Sequence, residues 1–176
     1  MVSIKNNKKV VLFLWFDIIN MESDYMKLFI AADHLGVEVK NELIEYLKSN
    51  DIEALEIGIS NSELDDYPDF AFKLGKLVRE NENSLGILIC GNGVGMAIAA
   101  NKVNGVRCVR AVDSDDAFKG KNHNGANVLA IGANLGIEKI KEIVDTFIST
   151  KPASLDRYVN RINKIISYEN GEYNEL

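Results

Sequence analysis

Apolar positions along this chain follow two alternating rhythms. Short apolar runs at Leu28–Ala32, Leu85–Ile89 and Val128–Ile131 suit strands buried on both faces, and Ile52–Ile57 and Val106–Val112, with charged residues interleaved, read as two more strands. Between them, apolar residues recur at helical spacing: Val39, Leu43 and Leu47, the segment Phe70–Arg79, and later Ile137, Ile140, Val144 and Phe147. That spacing turns one face of a helix toward a core. An Ala-rich helix to about Val103 follows the third strand, and the polar stretch after Asp113 also reads as helical. Beyond the break at Pro152, Leu155, Val159, Ile162 and Ile166 mark a last helix, with a frayed tail from Tyr168.

Strands separated by helices imply right-handed crossovers and a parallel sheet covered on both faces. The predicted fold class is α/β, a Rossmann-like three-layer α/β/α sandwich on a five-stranded parallel sheet. In such sheets ligands gather at the carboxyl ends of the strands. The loops that matter are therefore Asp33-His34, Asp65–Tyr67, Cys90–Gly95 and His123-Asn124. No internal repeat or low-complexity linker interrupts the pattern, so residues 26–176 read as one domain. Residues 1–25 stand apart: Lys5, Lys8 and Lys9 precede the run Val10–Phe16, which meets Asp17. The run is barely long enough for a signal peptide, no small-residue cleavage site follows, and it is far too short to span a bilayer. We expect a poorly ordered or accessory extension, with Met26 as the functional start.

Composition narrows the partners. A chain of 176 residues, 47% hydrophobic and 26% charged, suits a globular domain with a substantial core. The net charge of −6 argues against broad binding to nucleic acid or an anionic membrane, so an anionic ligand must be held by a few local groups. Two cysteines, Cys90 and Cys108, are too few for a disulfide framework and suit a reducing cytoplasm. His34 and His123 belong to no spaced metal-ligand cluster, so no metal is expected.

The most chemical stretch is Leu85–Asn101. A buried strand runs into Cys90, then Gly91-Asn92-Gly93-Val94-Gly95, then helix. Alternating glycines permit positive φ and close approach, and amides at the helix start suit negative charge. A thiol beside such donors more readily loses its proton and serves as nucleophile or base. The plainer alternative is a glycine turn beside a buried core cysteine. Asp33-His34 faces the ligand end, or else Asp33 caps the next helix and His34 is solvated. His123 and Tyr67, each in a polar segment, are unremarkable when taken alone. Arg157 and Arg161 lie four apart on one helical face, as surface decoration or as a bidentate grip on phosphate. A dinucleotide fingerprint fails: G-x-G-x-x-G/A begun at Gly91 meets Met96, and begun at Gly93 it meets Ile98.

Together these residues resemble the ribose-5-phosphate isomerase B and galactose-6-phosphate isomerase family of sugar-phosphate isomerases, over about Met26 to Ile166. The resemblance rests on Asp33–Gly36, Asp66–Pro68, Ile89–Lys102, His123–Leu129 and the arginine pair, in that order. It implies a cofactor-independent aldose–ketose isomerase working through a cis-enediolate, with ribose 5-phosphate and ribulose 5-phosphate as the expected pair. A homodimer or tetramer with active sites shared between subunits is implied as well. By the resemblance, Cys90 would move the proton between C1 and C2. The amides of Gly91, Asn92, Gly93, Val94 and Gly95, with the Asn92 side chain, would hold the enediolate oxygens. His123, assisted by Asp33, would serve the ring oxygen, and Tyr67 and Asn124 the sugar hydroxyls. His34, Arg157 and Arg161 would bind phosphate, the arginines from the neighbouring subunit. Two departures stand out: Asn92 where many members carry Thr or Ser, and Asn134 where members often carry Arg. The alternatives are a subunit of a two-subunit galactose-6-phosphate isomerase, an isomerase of another sugar phosphate, and, more remotely, a nucleotide-dependent oxidoreductase.

Overall fold

The computed structural model describes residues 26–60 and 65–173. The proposed extension over residues 1–25, and residues 61–64 of the loop before Asp65, lie outside that range. The chain alternates β1 (Lys27–Ala32), α1 (Val37–Ser49), β2 (Ala54–Glu56), α2 (Tyr67–Glu80), β3 (Ser84–Cys90) and α3 (Val94–Ala100). It continues with β4 (Cys108–Arg110), α4 (Ser114–Asn124), β5 (Val128–Gly132), α5 (Ile137–Ser149) and α6 (Asp156–Glu169). The five strands form one sheet in the order β2-β1-β3-β5-β4, and every pairing is parallel. The predicted sandwich is the observed one.

Side-chain alternation along the central strands divides the core into two layers. Leu28, Ile30 and Ala32 of β1 and Leu85, Ile87 and Ile89 of β3 face α1, α4 and α5, where Leu43, Leu47, Ile140, Ile143, Val144 and Phe147 are fully buried. Phe29 and Ala31, with Leu88 and Cys90, face α2 and α3. The connection after β1 thus leaves toward one layer and the connection after β3 toward the other. A crevice opens where they part, at the carboxyl ends of β1 and β3.

Differences from the sequence reading fall at the edges. β2 and β4 are shorter than the apolar runs Ile52–Ile57 and Val106–Val112 because each pairs on one side only. Val106 is buried, yet it lies before β4 and packs beneath Gly75 of α2. Asp113, the acid that gave the dinucleotide pattern its last element, is the N-cap of α4 and accepts the Asp116 N–H at 2.9 Å. The largest difference concerns α6. Its apolar periodicity is real, but Leu155, Val159 and Ile166 stay 55%, 39% and 39% exposed, and Tyr158 is the one residue of the helix that is buried.

Candidate active site

Cys90 ends β3, and its side chain is buried on the α2–α3 side of the sheet. The chain turns through Gly91 and Asn92 into Gly93, whose φ of +77° is left-handed and favours glycine. This turn points the Gly93 N–H back at Cys90 Sγ, 3.2 Å away. Asn92 Oδ1 accepts the Val94 N–H at 3.0 Å and starts α3. The first bond inside that helix runs from the Ala97 N–H to the Gly93 carbonyl at 3.1 Å. Two loop amides expected to face a ligand, those of Gly93 and Val94, are therefore engaged within the loop. The Asn92 amide group and the Gly95 N–H are among the donors left at the helix start.

Three neighbours close on this turn. Asp33 follows β1 directly; its N–H donates to the Ile89 carbonyl at 3.2 Å and its carboxylate accepts the Leu35 N–H at 3.0 Å. Burial pushes the Asp33 carboxyl above the usual carboxylate range, against the opposing pull of the Leu35 amide, His34 and the Gly36 amide. Tyr67, the first residue of α2, lays its ring on Gly95: a Cβ there would sit 2.7 Å from the ring carbon Cζ. Asn134, just after β5, folds its side chain over Gly132, and its N–H reaches the Gly91 carbonyl at 3.4 Å. Asp33, His34, Tyr67, Cys90, Gly91, Asn92, Gly93, Val94, Gly95 and Asn134 thus share the carboxyl end of the sheet.

His123 and Asn124 do not join them, which corrects their placement among the carboxyl-end loops. Helix α4 continues through both residues, and a crossover helix that leaves the carboxyl end finishes at the amino end. From Ser114 to His123 the helix rises about 14 Å, at about 1.5 Å per residue. Asn124 Nδ2 donates to the Lys119 carbonyl at 3.4 Å. The His123 ring stacks on Tyr158 of α6, with centroids 4.5 Å apart and planes 18° apart, and Phe118 meets it edge-on. Arg157 Nη2 donates to the Tyr158 hydroxyl at 2.6 Å. Arg157 and Arg161 are both exposed on this same side of the molecule.

The amino end also holds Lys121, buried beside the Phe147 ring. Burial and then the Arg107 charge push its ammonium down to about 8. Sequence reading passes over Tyr158 and Arg110, the two residues that most directly touch the candidate groups. Tyr158 reads as one more residue on the apolar side of α6, three positions after Leu155, and Arg110 reads as one more polar residue in an edge strand. Its Nε donates to the Asn92 carbonyl at 2.9 Å. Among the described residues, no group of acids, histidines and cysteines could hold a metal ion, and no helix is long and apolar enough to cross a membrane.

Similarity to known proteins covers nearly all of the described chain. A probable ribose-5-phosphate isomerase B of Mycoplasma pneumoniae is 41% identical over 145 residues, covering 81% of this chain and 94% of that relative. The ribose-5-phosphate isomerase B of Escherichia coli is 36% identical over 144 residues, covering 81% and 96%. The crystal structure of ribose-5-phosphate isomerase B from Mycoplasma genitalium with bound ribulose-5-phosphate superposes with a TM-score of 0.78 at 38% identity, covering 82% and 97%. The family profile described as Ribose/Galactose Isomerase matches residues 28–165, from the start of β1 into the last turns of α6, and the chain belongs to that family.

Proposed function

We propose that this protein interconverts ribose 5-phosphate and ribulose 5-phosphate without a cofactor, with Cys90 as the base that carries the proton. The observation behind this reading is the Cys90 sulfur at the end of β3, which receives the Gly93 N–H at 3.2 Å, with Asp33 at the end of the adjacent β1 and Tyr67 packed on Gly95 of the same loop. The thiolate takes the proton from C2 of the opened aldose. The electron pair left behind forms the C1–C2 double bond of an enediolate, and the charge moves to the C1 oxygen. Asn92 Nδ2 and the Gly95 N–H are placed to steady that oxygen. The O2 proton then passes to O1, and return of the first proton to C1 forms the C2 carbonyl of the ketose. No electrons leave the substrate, so the reaction needs no redox partner.

Ring opening needs an acid–base group at the ring oxygen, and His123 is the residue carried over for it. Within one chain it sits about 14 Å of helix rise from the carboxyl end. We therefore place His123, Asn124, Arg157 and Arg161 in the site of a second copy of the chain. The uncovered apolar surface supports that arrangement: Leu155, Val159, Ile165 and Ile166 on α6 and Val94 and Ile98 on α3 are all exposed. The arginines then meet the phosphate, together with His34 of the receiving copy. Free thiols at Cys90 and Cys108 fit a reducing cytoplasm.

The test is a panel of tetrose, pentose and hexose phosphates in deuterated water, with NMR detection of deuterium at C1 and C2. Pentose phosphates should exchange fastest, and Cys90→Ala should abolish exchange while the protein stays folded. Full turnover by Cys90→Ala would remove the thiol from the mechanism. A second reading, a subunit of a two-subunit galactose-6-phosphate isomerase, draws on Asn134, which brings no charge where the resemblance leads one to expect arginine. It predicts that the purified chain alone is inactive on every sugar in the panel.

A further inference from the structure

A single peptide unit, Asn92–Gly93, joins a guanidinium to the candidate base. Its carbonyl oxygen accepts Arg110 Nε at 2.9 Å, and its N–H donates to Cys90 Sγ at 3.2 Å. The C=O and N–H of one peptide point in opposite directions in one plane, so a bond that fixes the first also aims the second. The aim needs fixing, because the peptide leads into Gly93, whose left-handed φ belongs to the residue with the freest backbone. Hydrogen bonds in series also polarise one another, so a cation on the carbonyl strengthens the donor at the other end.

Arg110 is suited to this by position and by charge. It ends β4, pairs in register with Ala130 of β5, and reaches over the end of β5 to the glycine turn. Among the described residues it is the one arginine at the carboxyl end: Arg79 closes α2, Arg107 precedes β4, and Arg157 and Arg161 lie on α6. None of the ion pairs among the described residues includes Arg110, so the Asn92 carbonyl is the partner its Nε holds. Asn134, on the other side of Asn92, contributes only an amide.

We propose that Arg110 is a positioning residue: it holds the Asn92–Gly93 peptide with its N–H on Cys90 and so tunes the reactivity of the sulfur. The link rests on geometry alone, whereas its consequence for rate rests on Cys90 being the base.

The test alkylates the intact protein with iodoacetamide at neutral pH and follows the Cys90 peptide by mass spectrometry. Cys108 is the internal reference, since burial pushes its thiol up to about 12. In Arg110→Met the Cys90 rate should fall more than about threefold, because the sulfur loses the donor that the fixed peptide aims at it. Arg110→Lys, which keeps a charge and a donor, should stay within about threefold of the parent. Isomerase kcat should fall in step with the alkylation rate, with KM little changed. An unchanged Cys90 rate in Arg110→Met overturns the proposal. So does an equal loss in both variants, which would indicate a packing defect. A fall in alkylation with kcat intact leaves the Arg110 link standing and removes Cys90 as the base.

Discussion

The separation of Cys90 from His123 makes a quantitative prediction about mixed oligomers. Cys90 lies at the carboxyl end of β3, and His123 lies near the amino end, about 14 Å of helix rise below the start of α4. Proton transfer needs its partners within hydrogen-bond reach, about 3 Å, so the proposed site draws Cys90 and His123 from two copies of the chain. Cys90→Ala and His123→Ala should each be inactive alone. When equal amounts are unfolded and refolded together, chance pairing makes about half of the dimers mixed, and each mixed dimer has one intact and one doubly defective site. The mixture should recover about a quarter of wild-type activity, and a mixed dimer isolated through two affinity tags about half. The assay is initial-rate conversion of ribose 5-phosphate, with each parent variant refolded alone as the blank. A mixture no more active than the two blanks would refute the shared site, because a site confined to one chain always carries one of the two defects.

Three further outcomes follow from particular contacts. Gly36→Ala should cost about 1–3 kcal/mol of stability, because its Cβ would lie 2.8 Å from the Ile89 carbonyl oxygen and would have to part the β1 and β3 loops. Urea denaturation reads that loss, and a neutral result would mean the two loops separate easily. Lys121→Met should raise the urea midpoint at pH 7: the native state holds the ammonium near 8 against 10.5 for the free group, so the folded chain bears a buried charge below that range. The wild type recovers stability as the pH climbs from about 8 to 10.5, so the advantage of Lys121→Met should shrink over that window, and an advantage constant with pH would refute the assignment. Arg161→Ala should raise KM for the sugar phosphate with little effect on kcat, by the equivalent of about 2–5 kcal/mol for a desolvated charge pair. Steady-state kinetics with an unchanged KM would take Arg161 out of the phosphate site.

How much of this was legible in the sequence depended on whether a feature is set locally. The turn Cys90–Gly95 could be read because strand, glycines and helix are consecutive, and the hydrogen bonds that define it span two or three residues. Helix α5 could be read because Ile140, Val144 and Phe147 face a core in the same chain. Helix α4 hid its length: Ala117, Gly120 and Lys121 are its buried residues, too weak an apolar stripe to carry the pattern through His123. An early stop made His123 look like a loop residue, and that in turn suggested the wrong end of the sheet. Arg110 was invisible for another reason. Its contact with Asn92 exists because β5, a later strand, inserts between β3 and β4, and strand order is not written in the period of any one segment.

Helix α6 joins these two cases. Its period identified an apolar face correctly, but a period says nothing of which molecule covers that face. With Leu155, Val159 and Ile166 left open by their own chain, and His123 and Arg157 held against Tyr158 on the same helix, burying that stripe on a second copy would also deliver the histidine and the arginines. One hydrophobic contact would then do two jobs, assembling the oligomer and completing the chemistry. That coupling would account for an apolar face on α6 that its own chain leaves open: truncating Val159 and Ile166 should dissolve the oligomer and the activity together, at the same protein concentration.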